Sequence, residues 1–158
     1  MKKNKKIIYF FIAFLILPID QIAKHLARSF IDSFEVIKIL PFLQLVSIQN
    51  KGAAFGLFSG LGNKIFIAIT ITAIAFIFYL LVRGRENNIG LPLILGGATG
   101  NLIDRILFGG VTDFIDVFIG RFHWPAFNIA DSALTIGVIL MLLTQLRQSK
   151  GFRVVKDG

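Results

Sequence analysis

The chain contains no cysteine. Disulfides, thiol nucleophiles and thiolate metal sites therefore lie outside its chemistry. Histidine is almost as scarce: His25 and His123 stand far apart in unlike contexts, and no metal-ligand spacing such as H-E-x-x-H exists. Acids are few, nine against seventeen Lys and Arg, for a net charge of +8. Such an excess can serve nucleic acid. Here the positive charges lie mostly at the termini and in one short loop, which fits membrane topology and not a DNA-binding face. Polar surface is also lacking. Hydrophobic residues make up 55% of the 158, seventeen of them Phe, and the mean hydropathy is +0.76. A soluble domain of this length keeps a more polar surface. The expectation is an integral membrane protein forming one domain over residues 1–158.

Lys2, Lys3, Lys5 and Lys6 precede an apolar run. A cleavable secretory signal starts similarly, but no small-residue cleavage site follows. Asp20, Gln21 and Lys24 come next. The pattern predicts a first spanning helix over about 6–27, close to the ~20 residues a bilayer requires. Further spanning helices are expected over about 64–82, 89–108 and 128–147. Residues 29–62 are mixed, with β-branched and aromatic runs at 34–38 and 43–48 punctuated by Pro41 and Gly52. They read as a small β region outside the membrane core. Gly109-Gly110 breaks the third helix, and 111–127 reads as a loop. The fold class expected is an all-α membrane protein, a four-helix spanning bundle with a small extracytoplasmic sheet.

Orientation follows from the short flanks. The N-terminal lysines, Arg83, Arg85, Arg147, Lys150, Arg153 and Lys156 share one side. Both termini and the turn between the second and third helices are thus expected in the cytoplasm, with 29–62 and 109–127 outside. Asp20 then lies about 20 Å along its helix from Ile7, and Asp104 and Arg105 about 22–24 Å from Ile89, at ~1.5 Å per residue. Asp113 falls in the outer loop and Asp131 at the outer start of the fourth helix. Ionisable groups at membrane depth are costly by a few kcal/mol and face a bundle interior or wet cavity. All of these converge on one face, which predicts one polar site there.

Within that site Asp20 and Lys24 form an i, i+4 pair, although Lys24 can instead reach toward headgroups. Asn101, Asp104 and Arg105 share one helical stripe. Arg105 can hold a carboxylate with two parallel bonds, and a structural network that fixes helix packing explains Asp104 and Arg105 equally well. Gly96 and Gly100 make a G-x-x-x-G that permits close helix contact. Asn128 and Asp131 share a face at a helix start, where an acid also complements the dipole. Asp113 and Asp116 lie among apolar residues, and Asp116 is the better candidate for a solvated acid. Two carboxyls at a half-dry site share one proton, because like charges a few Å apart resist ionising together.

The segments Asp20-Gln21 with Lys24, Asn50-Lys51-Gly52-Ala53-Ala54-Phe55, Gly100-Asn101-Leu102-Ile103-Asp104-Arg105, 111–115, and Phe127-Asn128-Ile129-Ala130-Asp131-Ser132 occur together in this order. With them the chain resembles the bacterial lipoprotein signal peptidases, also called prolipoprotein or type II signal peptidases, over nearly its whole length. Lys51 and Thr112 stand at positions that the family pattern leaves open. The resemblance implies four spanning helices with a small periplasmic-side sheet. It implies an aspartyl endopeptidase that cleaves just before a diacylglyceryl-modified Cys in a lipoprotein precursor. The catalytic pair falls on Asp113 and Asp131. The supporting residues fall on Asp20, Lys24, Asn50, Gly52, Asn101, Asp104, Arg105, Asn128 and Ala130. The expected partners are a lipid-modified prolipoprotein and membrane lipids, with no nucleic acid, cofactor or metal, for a monomer in the bacterial cytoplasmic (inner) membrane. Two other classes remain open on the residues alone. A small transporter or proton channel also uses intramembrane charges, but needs polar residues through the full thickness. A scaffold holds every charge in a structural pair.

Overall fold

Four helices carry the long apolar runs: α1 (Lys3–Phe30), α2 (Asn63–Arg83), α3 (Gly90–Phe108) and α4 (Ile129–Val154). The computed structural model describes residues 3–32, 34–52, 62–83 and 88–154. All four helices are long and apolar enough to cross a membrane. α3 is the hub, packed against each of the others, and more than half of it is buried. α2 buries only Leu81. Ile74 and Ile77 pack against the core from their half-buried side, whereas Ile65, Ile69, Ile71, Phe76 and Phe78 point outward, as do Phe11, Phe14 and Ile22 on α1 and Leu142 and Leu146 on α4. Apolar patches that large need lipid around them, and helices satisfy their own backbone there. α1 runs three residues past the expected span at either end, where Lys3 and Phe30 continue the helix beyond the apolar stretch.

Four strands form an antiparallel sheet in chain order: β1 (Ile37–Leu40), β2 (Leu43–Asn50), β3 (Val111–Ile119) and β4 (Phe122–His123). The β region expected at 29–62 contains the first two. Residues 53–61 of it, and 84–87 of the polar turn, lie outside the described residues. The expected loop at 111–127 is overturned, because its first nine residues are β3. That run holds three Val or Ile, one Thr and two Phe among its first eight, a composition suited to a half-buried pleated surface. Two acids and a Gly-Gly start disguised it.

β3 alternates between two surroundings. Phe114 joins Ala27 of α1 and Ile31, just past its end, in a buried cluster, with Thr112 and Asp116 on the same face. Asp113 points the other way. A register shift in β2 sets Leu45 opposite Ile115 but Ile48 opposite Asp113, one extra residue on β2, as in a β-bulge. Beyond β4 the chain returns to β3. Phe127 exchanges backbone bonds with Ile115 at 2.8 and 3.0 Å. This bridge delivers Asn128, and with it the start of α4, beside Asp113.

Tight helix contacts complete the frame. A Cβ on Gly97 would clash with the Ala130 carbonyl oxygen, and one on Gly100 would meet Asp20 Oδ2 at 2.6 Å. Only glycine lets α3 approach α4 and α1 this closely.

Candidate active site

The start of α4 explains how Asn128 and Asp131 are held. Asn128 Oδ1 accepts the Asp131 peptide N–H at 2.8 Å, and Asp131 Oδ2 accepts the Asn128 N–H at 3.2 Å. This reciprocal arrangement is a capping box with Asn and Asp in the two roles. It satisfies two of the donors that a helix start leaves without partners. The amide oxygen of Asn128 is used in the cap, so its Nδ2 faces β3. There it donates to Asp113 Oδ1 at 2.7 Å and to the Thr112 carbonyl at 3.3 Å. Asn50, at the end of β2, donates to the other oxygen, Asp113 Oδ2, at 3.0 Å. Its own Oδ1 accepts the Gly52 N–H at 2.9 Å, closing a turn.

A second amide works in the same manner on Asp131. Asn101 Oδ1 accepts from Lys24 Nζ at 2.9 Å, and Asn101 Nδ2 donates to Asp131 Oδ1 at 2.8 Å. Lys24 also lies 2.8 Å from Asp20 Oδ2 and 3.6 Å from Asp104 Oδ2. Lys24, Asp20 and Asp104 are wholly buried. The alternative in which Lys24 reaches headgroups is overturned, because two carboxylates and an amide oxygen hold its ammonium inside the bundle. Asp20 spends its other oxygen on the Ala130 N–H at 2.8 Å. Ala130 thus enters the site through its backbone, and Asp20 caps α4 from a different helix. Asp104 Oδ2 accepts the Thr112 N–H at 2.8 Å. Gln21 donates to Asp20, Asp104 and the Gly100 carbonyl at 3.1–3.3 Å.

Arg105 departs from the expected pairing. Among the described residues it grips no carboxylate. Its Nη2 donates to the Gly52 carbonyl at 2.5 Å, its Nη1 reaches Asn63 Oδ1 at 3.4 Å, and its guanidinium lies 4.5 Å from the Phe66 ring centroid. One residue step along the helix rotates it about 100° from Asp104, which turns it toward the β2 end and α2.

Asp116 is not a solvated acid. It is buried, accepts from Gln44 Nε2 at 2.6 Å, and lies 2.9 Å from His123 Nδ1. Strand alternation placed it on the Phe114 face, where Gln44 is its direct partner across β2.

Asp113 and Asp131 open into one cavity of about 650 Å³. Asn50, Gly52, Asn101 and Arg105 contribute its polar wall, and Trp124, Phe127, Leu134 and Ile136 its apolar one. Burial pushes the Asp113 carboxyl up to about 6 from 3.8, and the nearby Asp131 charge adds to this. Hydrogen bonds from Asn50 and Asn128, and the Lys24 charge, oppose the shift. Of the residues expected at the site, Asp113, Asp131, Asn50, Gly52, Asn101 and Arg105 line the cavity. Asp20, Lys24, Asp104, Asn128 and Ala130 form the layer behind it. Gln21, Gln44, Arg28 and Thr112 were not among the site residues expected from the sequence, although Gln21 lies in one of the matching segments. For Arg28 a signal existed, since Asp20, Lys24 and Arg28 continue one i, i+4 ladder.

The chain is similar to known proteins over most of its length. It is 46% identical over 135 residues to the lipoprotein signal peptidase of Thermodesulfovibrio yellowstonii, covering 85% of this chain and 92% of that one. It is 39% identical over 157 residues to the lipoprotein signal peptidase of Syntrophus aciditrophicus, covering 94% and 98%. A solved structure described as a bacterial membrane enzyme superposes with a TM-score of 0.84 at 35% identity, covering 96% of this chain and 93% of that one. A second of the same description gives 0.78 at 36% identity, with 92% and 95% covered. The model of the signal peptidase (SPase) II family matches residues 12–147, the stretch that holds every polar residue of the cavity and of the layer behind it, and this chain belongs to that family.

Proposed function

We propose that this chain removes the signal peptide from lipid-modified prolipoproteins, cutting just before the diacylglyceryl-modified cysteine, through an aspartyl mechanism at Asp113 and Asp131. The observation that carries this reading is the shared cavity: the two acids come from different elements, open into one space, and are bridged by Asn128. Family membership and the names of the relatives support the substrate class.

One carboxylate takes a proton from a water as the water oxygen bonds to the scissile carbonyl carbon. The other carboxyl gives its proton to the carbonyl oxygen. Collapse of that gem-diol breaks the C–N bond: the proton first taken from water goes to the leaving amine, and a gem-diol hydroxyl returns its proton to the other carboxylate, which restores the starting pair. The two acids titrate as a pair, so the shared proton belongs to both. The apolar cavity wall suits the lipid chains of the substrate. The sheet suits an unwound cleavage segment, since extended backbone without partners is costly in lipid. The basic flanks support a bacterial inner-membrane protein with both termini in the cytoplasm and the cavity toward the outer face. It acts there as a monomer, with no cofactor.

Incubating the purified protein with a lipid-modified precursor peptide tests this. Asp113→Asn and Asp131→Asn are expected to insert normally and to cleave nothing. Normal processing by either variant refutes the reading. A change in stability with turnover intact would favour the scaffold class.

A further inference from the structure

The geometry points to Arg28 and Thr112 as positioning residues that hold Asp113 in register for hydrolysis, an inference that rests on the function proposed above. Thr112 directly precedes Asp113 and shares a peptide plane with it. Arg28 Nη1 donates to Thr112 Oγ1 at 2.7 Å. Asp104 Oδ2 accepts the Thr112 N–H at 2.8 Å, and the same oxygen lies 3.6 Å from Arg28 Nη1. Thr112 is therefore gripped at its side chain from α1 and at its backbone from α3. Asn128 Nδ2 reaches its carbonyl from the start of α4. A strand residue tied at three groups to three helices cannot turn or slide without breaking a bond, and any such movement passes through the shared peptide to Asp113.

Charge explains why an arginine is needed there. Asp20, Lys24 and Asp104 are wholly buried and together carry one excess negative charge. Lys24 sits at 2.8 Å from Asp20 but only 3.6 Å from Asp104. Arg28 supplies the fourth charge, 3.6 Å from the same Asp104 oxygen that Lys24 reaches at that distance, and balances the set. Its guanidinium lies 4.1 Å from the Phe108 ring centroid, which holds the planar group in place. Its side chain is 24% exposed, so this corner of the network reaches the protein surface while the rest stays dry.

Thr112→Val keeps the shape and β-branching of the residue and removes only the hydroxyl. Thr112→Ser keeps the hydroxyl. A packing role would suffer from Ser, and a positioning role from Val. With the full-length protein and the lipid-modified precursor peptide, Thr112→Val and Arg28→Gln are expected to lower kcat roughly ten- to a hundredfold, as displacements approaching 1 Å do. KM is expected to stay within about twofold, the mark of an interaction that serves the chemical step. Thr112→Ser should restore most of the rate. The Arg28→Gln/Thr112→Val double variant should be little worse than the poorer single one, because both remove the same bond. Undiminished kcat in Thr112→Val, or equal damage from Ser and Val, overturns the inference while inactivity of Asp113→Asn leaves the functional reading standing. Turnover by Asp113→Asn would overturn that reading first, and this one with it.

Discussion

Asn128 holds Asp113 with the half of its amide that the α4 cap leaves over: Oδ1 accepts from the Asp131 N–H at 2.8 Å, and Nδ2 donates to Asp113 Oδ1 at 2.7 Å. One side chain thereby starts a helix and spaces the two acids.

These two duties are separable by mutation. Asn128→Ala removes both, with about 1 kcal/mol lost at the cap and activity lost besides. Asn128→Ser retains a good capping oxygen but cannot reproduce the fork. Thermal unfolding of the Ser variant should approach that of the parent, while kcat stays down by on the order of a hundredfold. Recovery of both together would mean that the bond to Asp113 has no part in turnover.

Asp113 gives the fold a pH dependence of predictable sign. Its carboxyl is raised from 3.8 to about 6 in the folded protein. Between these values the unfolded chain has released a proton that the folded chain still binds. Stability therefore falls as pH rises through this window, by about 3 kcal/mol in all, and is level above it. Asp113→Asn has no such titration. Melting curves in detergent from pH 4 to 7.5 should show the Asn variant gaining on the parent up to about pH 6. Parallel curves for the two proteins would contradict the raised carboxyl.

Lys24 is the cation that the buried carboxylates of Asp20 and Asp104 share. Replacing it by Met keeps the volume and leaves two buried acids with Arg28 at 3.6 Å from one of them. Breaking a buried ion network in this way costs about 3–5 kcal/mol. Pairing Lys24→Met with Asp20→Asn should recover part of that loss, read as a rise in melting temperature over the single variant. No recovery would place the cost in packing and not in charge.

Gly97 sets how closely α3 and α4 approach. In Gly97→Ala the new methyl clashes with the Ala130 carbonyl oxygen, so the helices must part. Overpacking of this kind costs about 1–3 kcal/mol. The 2.8 Å bonds from Asn101 to Asp131 and from Ala130 to Asp20 cross the affected region. Cleavage should fall together with the melting temperature. A variant as stable and active as the parent would show that the bundle absorbs the methyl elsewhere.

The chain alone determined the four apolar spans, the solvent they need, and the gathering of acids toward one end. Those properties follow from composition and from helical rise, which depend only on near neighbours in sequence. Asn128 and Asp131 were also legible as partners, because three residues apart at a helix start is a local relation. Tertiary structure alone decided three other things. It turned 111–119 into a strand by giving it β2 as a partner, which no local propensity contains. It buried Asp116, through a two-residue alternation that has meaning only once the sheet exists. It directed Arg105 to the Gly52 carbonyl and assigned Asp104 the Thr112 N–H, since a side chain's partner depends on which other element the fold brings against it. Spacing in sequence says which groups share a helix face. What that face meets is a property of packing.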